Sequence, residues 1–352
     1  MRQLHDPNQR DFASDNYAGA HPEILAALAD ANGGHQPAYG EDTYTAHLQQ
    51  VMKDHFGPAT ETFPVFNGTG ANVTALTSLL PRWGAVITAK SAHVNVDENG
   101  APERISGLKL LPVETPDGKL TPNLIDQEAW GWGDEHRAQP LAVSITNTTE
   151  LGTLYTVEEI RAIAEHAHSK GMLVHLDGAR LSNAAAALDV PFREFTTDAG
   201  VDIVSFGGTK NGMLYGEAIL VLDPTASEGL LFLRKLCMQL ASKMRFVSAQ
   251  LLALLADDLY LRSARHANTM ATRLRSSLEQ ANLPELEFTQ ATEANAVFAV
   301  LPSGAADELR QRFRFYDWNP AIREVRWMTS FDTSEQDVDD FVGVIRATLD
   351  GP

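Results

Sequence analysis

Short apolar runs alternate with amphipathic stretches along most of this chain, the pattern of strands and helices taking turns in a mostly parallel sheet. Runs at 62–66, 85–88, 141–146, 172–176, 201–206 and 218–222 predict strands. Helical spacing of apolar residues fills 22–31, 43–56, 71–80, 157–170 and much of 228–281. The helix at 157 has legible ends: Thr156 with Glu159 three residues on makes a capping box, and Lys170-Gly171 is a stop. The stretch 129–140, with Trp130, Trp132, glycines and Pro140, reads as a loop. From about residue 285 the pattern changes to short strands at 286–289, 296–301, 312–315 and 325–328, then a closing helix at 335–349. The expected architecture is α/β with a mostly parallel central sheet and a smaller α+β C-terminal domain. Its expected divisions are an N-terminal arm at 1–20, a large domain at 21–245 and a small domain at 246–352.

Charge and cysteine usage narrow the function classes. Lys and Arg total 28 against 46 Asp and Glu, a net charge of −18. That balance argues against nucleic acid or an anionic membrane as partner, and an anionic substrate would need local arginines working against the global field. The single cysteine, Cys237, excludes an intrachain disulfide and any CxxC zinc or redox motif. His166 and His168 lie two apart on a helix, so they do not share a face and make a poor metal pair; no metal site is expected. The polar start MRQLHDPNQRDF lacks a signal-peptide core, and no run approaches the ~18–20 apolar residues of a membrane span. The expected location is the cytoplasm.

The chemistry concentrates at predicted strand ends. GGTKNG, residues 207–212, places Lys210 in a glycine-flanked turn just after an apolar run. VHLDGAR, 174–180, ends another such run with Asp177 and follows it with Arg180. Ligands of open α/β sheets sit at the carboxyl ends of strands. A lysine amine for a Schiff base, a carboxylate for a pyridinium nitrogen and an arginine for an amino-acid carboxylate are what a pyridoxal phosphate (PLP) enzyme needs. NGTG, 67–70, lies between a strand and a helix, where the free N–H groups of small residues at a helix start suit a phosphate. His93 could stack on the ring or shuttle a proton, His136 is a looser acid or base, and Arg326 could complete a carboxylate clamp. Each has a plain structural reading as well: an exposed turn lysine, a helix N-cap, a surface ion pair, a tight turn, a core histidine.

In their order and spacing these segments resemble the threonine aldolases of the β-eliminating lyase group, within the aspartate-aminotransferase-like (fold type I) PLP enzymes. The resemblance runs through FASDNYAGAHPE (12–23), AYGEDTYT (38–45), FNGTGAN (66–72), AHVNVDENGAPE (92–103), HLDGAR, FGGTKNG, LASKMRF (240–246) and VRWMTSFD (325–332). It implies Lys210 as the PLP lysine, Asp177 on the pyridine nitrogen, His93 stacked on the ring, and Gly68 and Thr69 at the phosphate. It implies that Ser14, Arg180 and Arg326 bind the substrate carboxylate, and that His136 lies near the substrate hydroxyl. Tyr39 would reach a neighbouring subunit's site and Arg245 would approach the phosphate across an interface, so a homo-oligomer, dimer or tetramer, is implied. The lysine turn reads GGTKNG where the commonest pattern is SLSKG-like, and 147–150 reads NTTE where it is ENT-like. Both departures resemble the low-specificity subgroup.

The expected activity is PLP-dependent cleavage of L-threonine, L-allo-threonine and related β-hydroxy-α-amino acids to glycine and an aldehyde. The residues alone support the cofactor and an amino-acid ligand; the aldol step comes from the resemblance. Alternatives are an aldolase preferring aryl substrates such as phenylserine, a PLP β-eliminating lyase, a non-catalytic PLP-fold binding protein, and, from NGTG alone, a nucleotide-binding α/β protein.

Overall fold

The computed structural model describes residues 4–349; the outermost residues of the expected arm and small domain, 1–3 and 350–352, lie outside the described residues. Seven strands form the larger sheet: β1 (Glu61–Val65), β2 (Gly84–Ala89), β3 (Lys109–Val113), β4 (Gln139–Thr146), β5 (Leu173–Gly178), β6 (Ile203–Gly207) and β7 (Glu217–Val221). Their order is β1-β7-β6-β5-β4-β2-β3. The run from β3 to β6 pairs in parallel, while β7 runs against both its neighbours, β6 and β1. Every residue of β2, β6 and β7 is buried, because helices cover both faces. This is why those strands read as unbroken apolar runs, without alternation.

A second, antiparallel sheet comprises β8 (Glu287–Phe288), β9 (Ala296–Val300), β10 (Tyr316–Asn319) and β11 (Glu324–Met328), in the order β10-β11-β9-β8. It has its own apolar core, in which Phe12, Met270, Leu274, Val297, Trp327 and Phe341 meet. Helix Leu259–Ala281 joins the two cores: Tyr260 packs into the larger one, Met270 and Leu274 into the smaller.

Three sequence expectations shift. β3 is absent from the expected strands because Lys109 and Pro112 face out of it; as an edge strand it tolerates a proline. The strand expected at 312–315 lies instead at 316–319. Phe313 and Phe315 are buried by aromatic packing on Phe341, not by a ladder, while the true strand is an exposed edge. The helical stretch 228–281 breaks into Leu230–Leu236, Arg245–Leu255 and Leu259–Ala281, the last break falling at Asp257 and Asp258, both left-handed with φ of 48° and 55°. The capping box at Thr156 and Glu159 forms as expected.

The arm is pinned by packing. Phe12 is fully buried and stacks on Phe341 with ring centroids 4.2 Å apart, and its backbone bonds to Arg314 and Met328. Phe12→Ala is expected to lower unfolding free energy by about 3–5 kcal/mol, as for other buried phenylalanines. Denaturant titration of the two proteins checks this; a loss under about 1 kcal/mol would mean that the arm stands apart from the small core.

Candidate active site

The parallel strands end side by side, so the residues at their carboxyl ends share one edge. Asp177 is the fifth residue of β5, paired with Thr146 of β4 and Ser205 of β6. Its Oδ1 accepts from the Ala179 amide at 3.0 Å, which steadies the turn that delivers Arg180. Its Oδ2 accepts from Asn72 Nδ2 at 2.8 Å. β6 ends at Gly207, and the GGTKNG turn closes as a single 3-10 turn over Thr209–Asn211. This turn needs its glycines. A Cβ on Gly207 would lie 2.5 Å from the Ala179 carbonyl oxygen, and Gly212 adopts φ of 97°.

Lys210 is held below its ordinary pKa, first by burial and then by the positive charge of Arg180; Asp15, Asp177 and Glu217 oppose that shift. A buried amine with a lowered pKa is more often neutral and so more nucleophilic. Lys210, Asp177 and Arg180 therefore come together as the sequence suggests.

Arg180 presents Nε and Nη2 to Asp15, at 2.7 and 3.0 Å. Burial pushes the Asp15 carboxyl up, yet Arg180 overcomes it and holds the group below the usual range. Asn295 Nδ2 also donates to Asp15 Oδ2, at 3.1 Å. Arg180 thus enters the site already oriented, with Nη1 outside that pair. Arg326, on β11, stacks over Trp318 at 4.8 Å, and its buried Nε has no protein partner among the described residues. Burial, then the like charge of Arg180, pull the Arg326 guanidinium down to about 10. Two mutually repelling arginines, one with an unpartnered buried donor among the described residues, offer the kind of charge and fork that suits a carboxylate. Ser14 sits beside Asp15, its Oγ accepting from the Asn16 amide at 3.2 Å.

His93 opens a short helical turn, and its amide donates to Glu150 Oε1 at 2.8 Å. Its Nδ1 lies 2.9 Å from Glu98 Oε1, and the same oxygen accepts from Asn72 Nδ2 at 2.8 Å. A chain of groups therefore runs Asp177–Asn72–Glu98–His93. The hydrogen bond to Glu98 raises the His93 pKa against burial, and Asp177 adds to the rise. Burial raises Glu98 and Glu150 in turn. His175 bridges Ser144 and Ser205 within the sheet and burial lowers it to about 4, so it is a neutral structural tie.

A dianionic phosphate also has a place. Helix Gly68–Leu79 follows β1; Asn67 caps it through the Gly70 amide at 2.7 Å. A Cβ on Gly68 would meet nothing within 4 Å, leaving open space at the first turn. Gly70 is the opposite case: Gln239 lies 2.2 Å from where a Cβ would be, and accepts from the Phe66 amide at 3.0 Å. The amine, the carboxylate at the sheet edge, the half-buried imidazole and this open helix start fit PLP.

Three expected residues lie apart from this cluster. His136 is exposed in the tryptophan loop, its amide bonded to Asp134. Tyr39 is half exposed, with Lys235 over its ring, and its amide bonds to Ser242. Arg245 donates to the carbonyls of Gly33 and Gly34. Five contributors escaped sequence reasoning: Asp15, Asn72, Glu98, Glu150 and Glu217. A usable signal existed for Asn72 and Glu98, polar residues next to the motifs NGTG and HVNVD; the others come into range only through folding.

The beta-eliminating lyase family model matches residues 11–301. A low-specificity L-threonine aldolase of a Pseudomonas species is 43% identical over 97% of this chain and 98% of its own. The solved threonine aldolase of Leishmania major is 29% identical, superposes with a TM-score of 0.90, and covers 95% of this chain and 98% of that one. The aspartate aminotransferase of Thermus thermophilus, at 15% identity and a TM-score of 0.69, shares the fold. On these grounds the chain belongs to the beta-eliminating lyase family, as a PLP-dependent enzyme of fold type I within its threonine aldolase branch.

Proposed function

We propose that this site cleaves L-threonine, L-allo-threonine and related β-hydroxy-α-amino acids to glycine and an aldehyde. The observation that carries the proposal is the meeting of Lys210, Asp177 and the Arg180–Arg326 pair at one sheet edge. It is supported by 43% identity to a low-specificity L-threonine aldolase along nearly the whole chain. Lys210 would anchor PLP, Asp177 would face its pyridine nitrogen, Gly68 and Thr69 its phosphate, and His93 its ring. PLP supplies an electron sink for the carbon from which a bond is broken.

The protein's share is orientation and proton handling. Arg180 Nη1 and Arg326 Nε, with Ser14, hold the substrate carboxylate and so choose which bond at Cα lies ready to break. Asp15 and Asn295 keep Arg180 from following a mobile substrate. His93 gives its Nδ1 to Glu98, which leaves Nε2 for the β-hydroxyl proton, directly or through water. His136 is the second base candidate, supplied from the surface loop. A cleft of about 590 Å³ opens at Trp318, the ring under Arg326; Val96, Leu151 and Ile322 share its lining with polar residues such as Lys90, Glu114 and Glu324. Its aromatic and aliphatic members favour a second reading in which aryl substrates such as phenylserine are preferred.

A second copy of the chain completes the site in this reading. Tyr39 and Arg245 lie on one surface with Phe232, Leu236 and Met238, each of the three about three-quarters exposed. That patch joins Gln239, which packs on Gly70 of the proposed phosphate cradle, so a partner covering it would reach the cofactor. We place the protein in the cytoplasm as a dimer or tetramer, with an arm at 1–20, a large domain at 21–245 and a small one at 246–352; the two apolar cores support a division in two, with residues 247–260 packing in the larger core. No helix among the described residues is long and apolar enough to cross a membrane.

Three outcomes test this function. Incubation with threonine should yield acetaldehyde and glycine, and Lys210→Ala should abolish both; pyruvate and ammonia would indicate elimination instead. If sites are shared, mixing inactive Lys210→Ala and Arg245→Ala chains should recover roughly a quarter of the activity, because half the dimers are mixed and each holds one intact site. In Glu98→Gln the His93 pKa, followed by imidazole NMR, should fall toward or below the ordinary histidine value of about 6.5. The sign follows from linkage: the wild-type pair stabilises the fold fully below that value, and the contribution fades as pH rises through the folded pKa of His93.

A further inference from the structure

β7 is the strand that runs against the sheet, and its first residue is a carboxylate at the level of the lysine turn. Glu217 pairs with Gly207, the last residue of β6, on one side and with Val65 of β1 on the other. Its side chain is buried, and Oε2 accepts from the Gly208 amide at 2.5 Å. Thr209, whose hydroxyl donates to the Gly216 carbonyl at 3.3 Å, lies close enough to oppose the rise of the Glu217 pKa, and Lys210 is the cation that acts on it. The backbone two residues before the lysine is thus tied to this side chain.

The Gly208 hydrogen bond requires no charge. A neutral amide oxygen would accept from Gly208 equally well, with a far smaller desolvation penalty than a buried carboxylate incurs. The packing here is close: a Cβ on Gly208 would lie 2.1 Å from the Met213 sulfur, and one on Gly216 2.8 Å from Val247. Water therefore has little room to screen the anion from the lysine. A carboxylate in this position does two things that an amide cannot do together: it fixes the turn and it biases the lysine nitrogen toward its protonated form.

We propose that Glu217 is a positioning residue for Lys210, holding the 207–210 turn through the Gly208 amide and setting the protonation of the lysine nitrogen. Burial raises Glu217 to about 7 against the opposing influence of Gly208, Thr209 and the charge of Lys210. The charges facing Lys210 are then Arg180, which favours its neutral form, and Asp15, Asp177 and Glu217, which favour the protonated one. Asp15 is committed to Arg180 and Asp177 to Asn72 and Ala179, which leaves Glu217 as the carboxylate dedicated to the lysine turn.

The inference rests on Lys210 carrying the cofactor, and its test separates the two claims. The visible absorption band of the lysine-bound cofactor is titrated with pH in the wild-type holoenzyme and in Glu217→Gln, alongside thermal unfolding. The glutamine keeps an acceptor for the turn and removes the charge, so the band's pH midpoint should fall by about one pH unit while Tm stays close to wild type. An unchanged midpoint overturns the proposal. Absence of the band from the wild type would instead sink the assignment of Lys210. Should the glutamine variant not fold, Glu217→Asp, which withdraws the charge by one methylene, is titrated in its place: a smaller fall supports the proposal and no fall overturns it.

Discussion

The Lys210 amine is held below its ordinary pKa, and the interactions that set it organise the strand ends of the large sheet. Burial lowers the Lys210 pKa, Arg180 lowers it further, and three carboxylates restrain the fall. Each of those carboxylates has a second commitment. Asp15 orients Arg180, Asp177 receives Asn72 and Ala179, and Glu217 receives Gly208. The electrostatic setting of the amine and the mechanical setting of the groups around it are therefore the same interactions. Removing one charge alters geometry, and loosening one turn alters a pKa.

The fold serves this requirement through direction as much as through packing. Parallel β4, β5 and β6 deliver their carboxyl ends to one edge, which places Asp177 and the lysine turn next to each other. β7 comes back the other way, so a residue at its start, not its end, reaches that edge. The small sheet supplies Arg326 from β11, an element with a different core and no ladder to the large sheet. In the proposed reading, carboxylate binding bridges the two apolar cores, while cofactor binding stays with the larger one.

Much of the central sheet was legible because its strands are buried on both faces and read as continuous apolar runs. β3 and β10 were not, since both are edges whose polar or proline-bearing sequences carry no such signal. In the site, Lys210, Asp177 and Arg180 were legible because each lies at or just past the end of a strand. Asp15 was not: its partner Arg180 lies 165 residues away, and nothing local marks a carboxylate in SDN as the one that grips it. Glu217 was hidden for a different reason. A carboxylate opening an apolar strand looks like an exposed strand end until the antiparallel pairing puts it behind the lysine.

The arm has a consequence for how the molecule is made. Phe12 docks against Arg314, Met328 and Phe341, all close to the opposite end of the chain, and two residues later Ser14 and Asp15 join the site. During synthesis the large sheet can collapse as soon as β7 has emerged, because its strands all lie before residue 222. The arm, though it precedes every strand, has nowhere to bind until residues 314–341 have folded. Until then Arg180 lacks the Asp15 carboxylate that orients it. Residues 12–15 are in this way placed after segments three hundred positions further along, and the strand-end cluster gains Asp15 last.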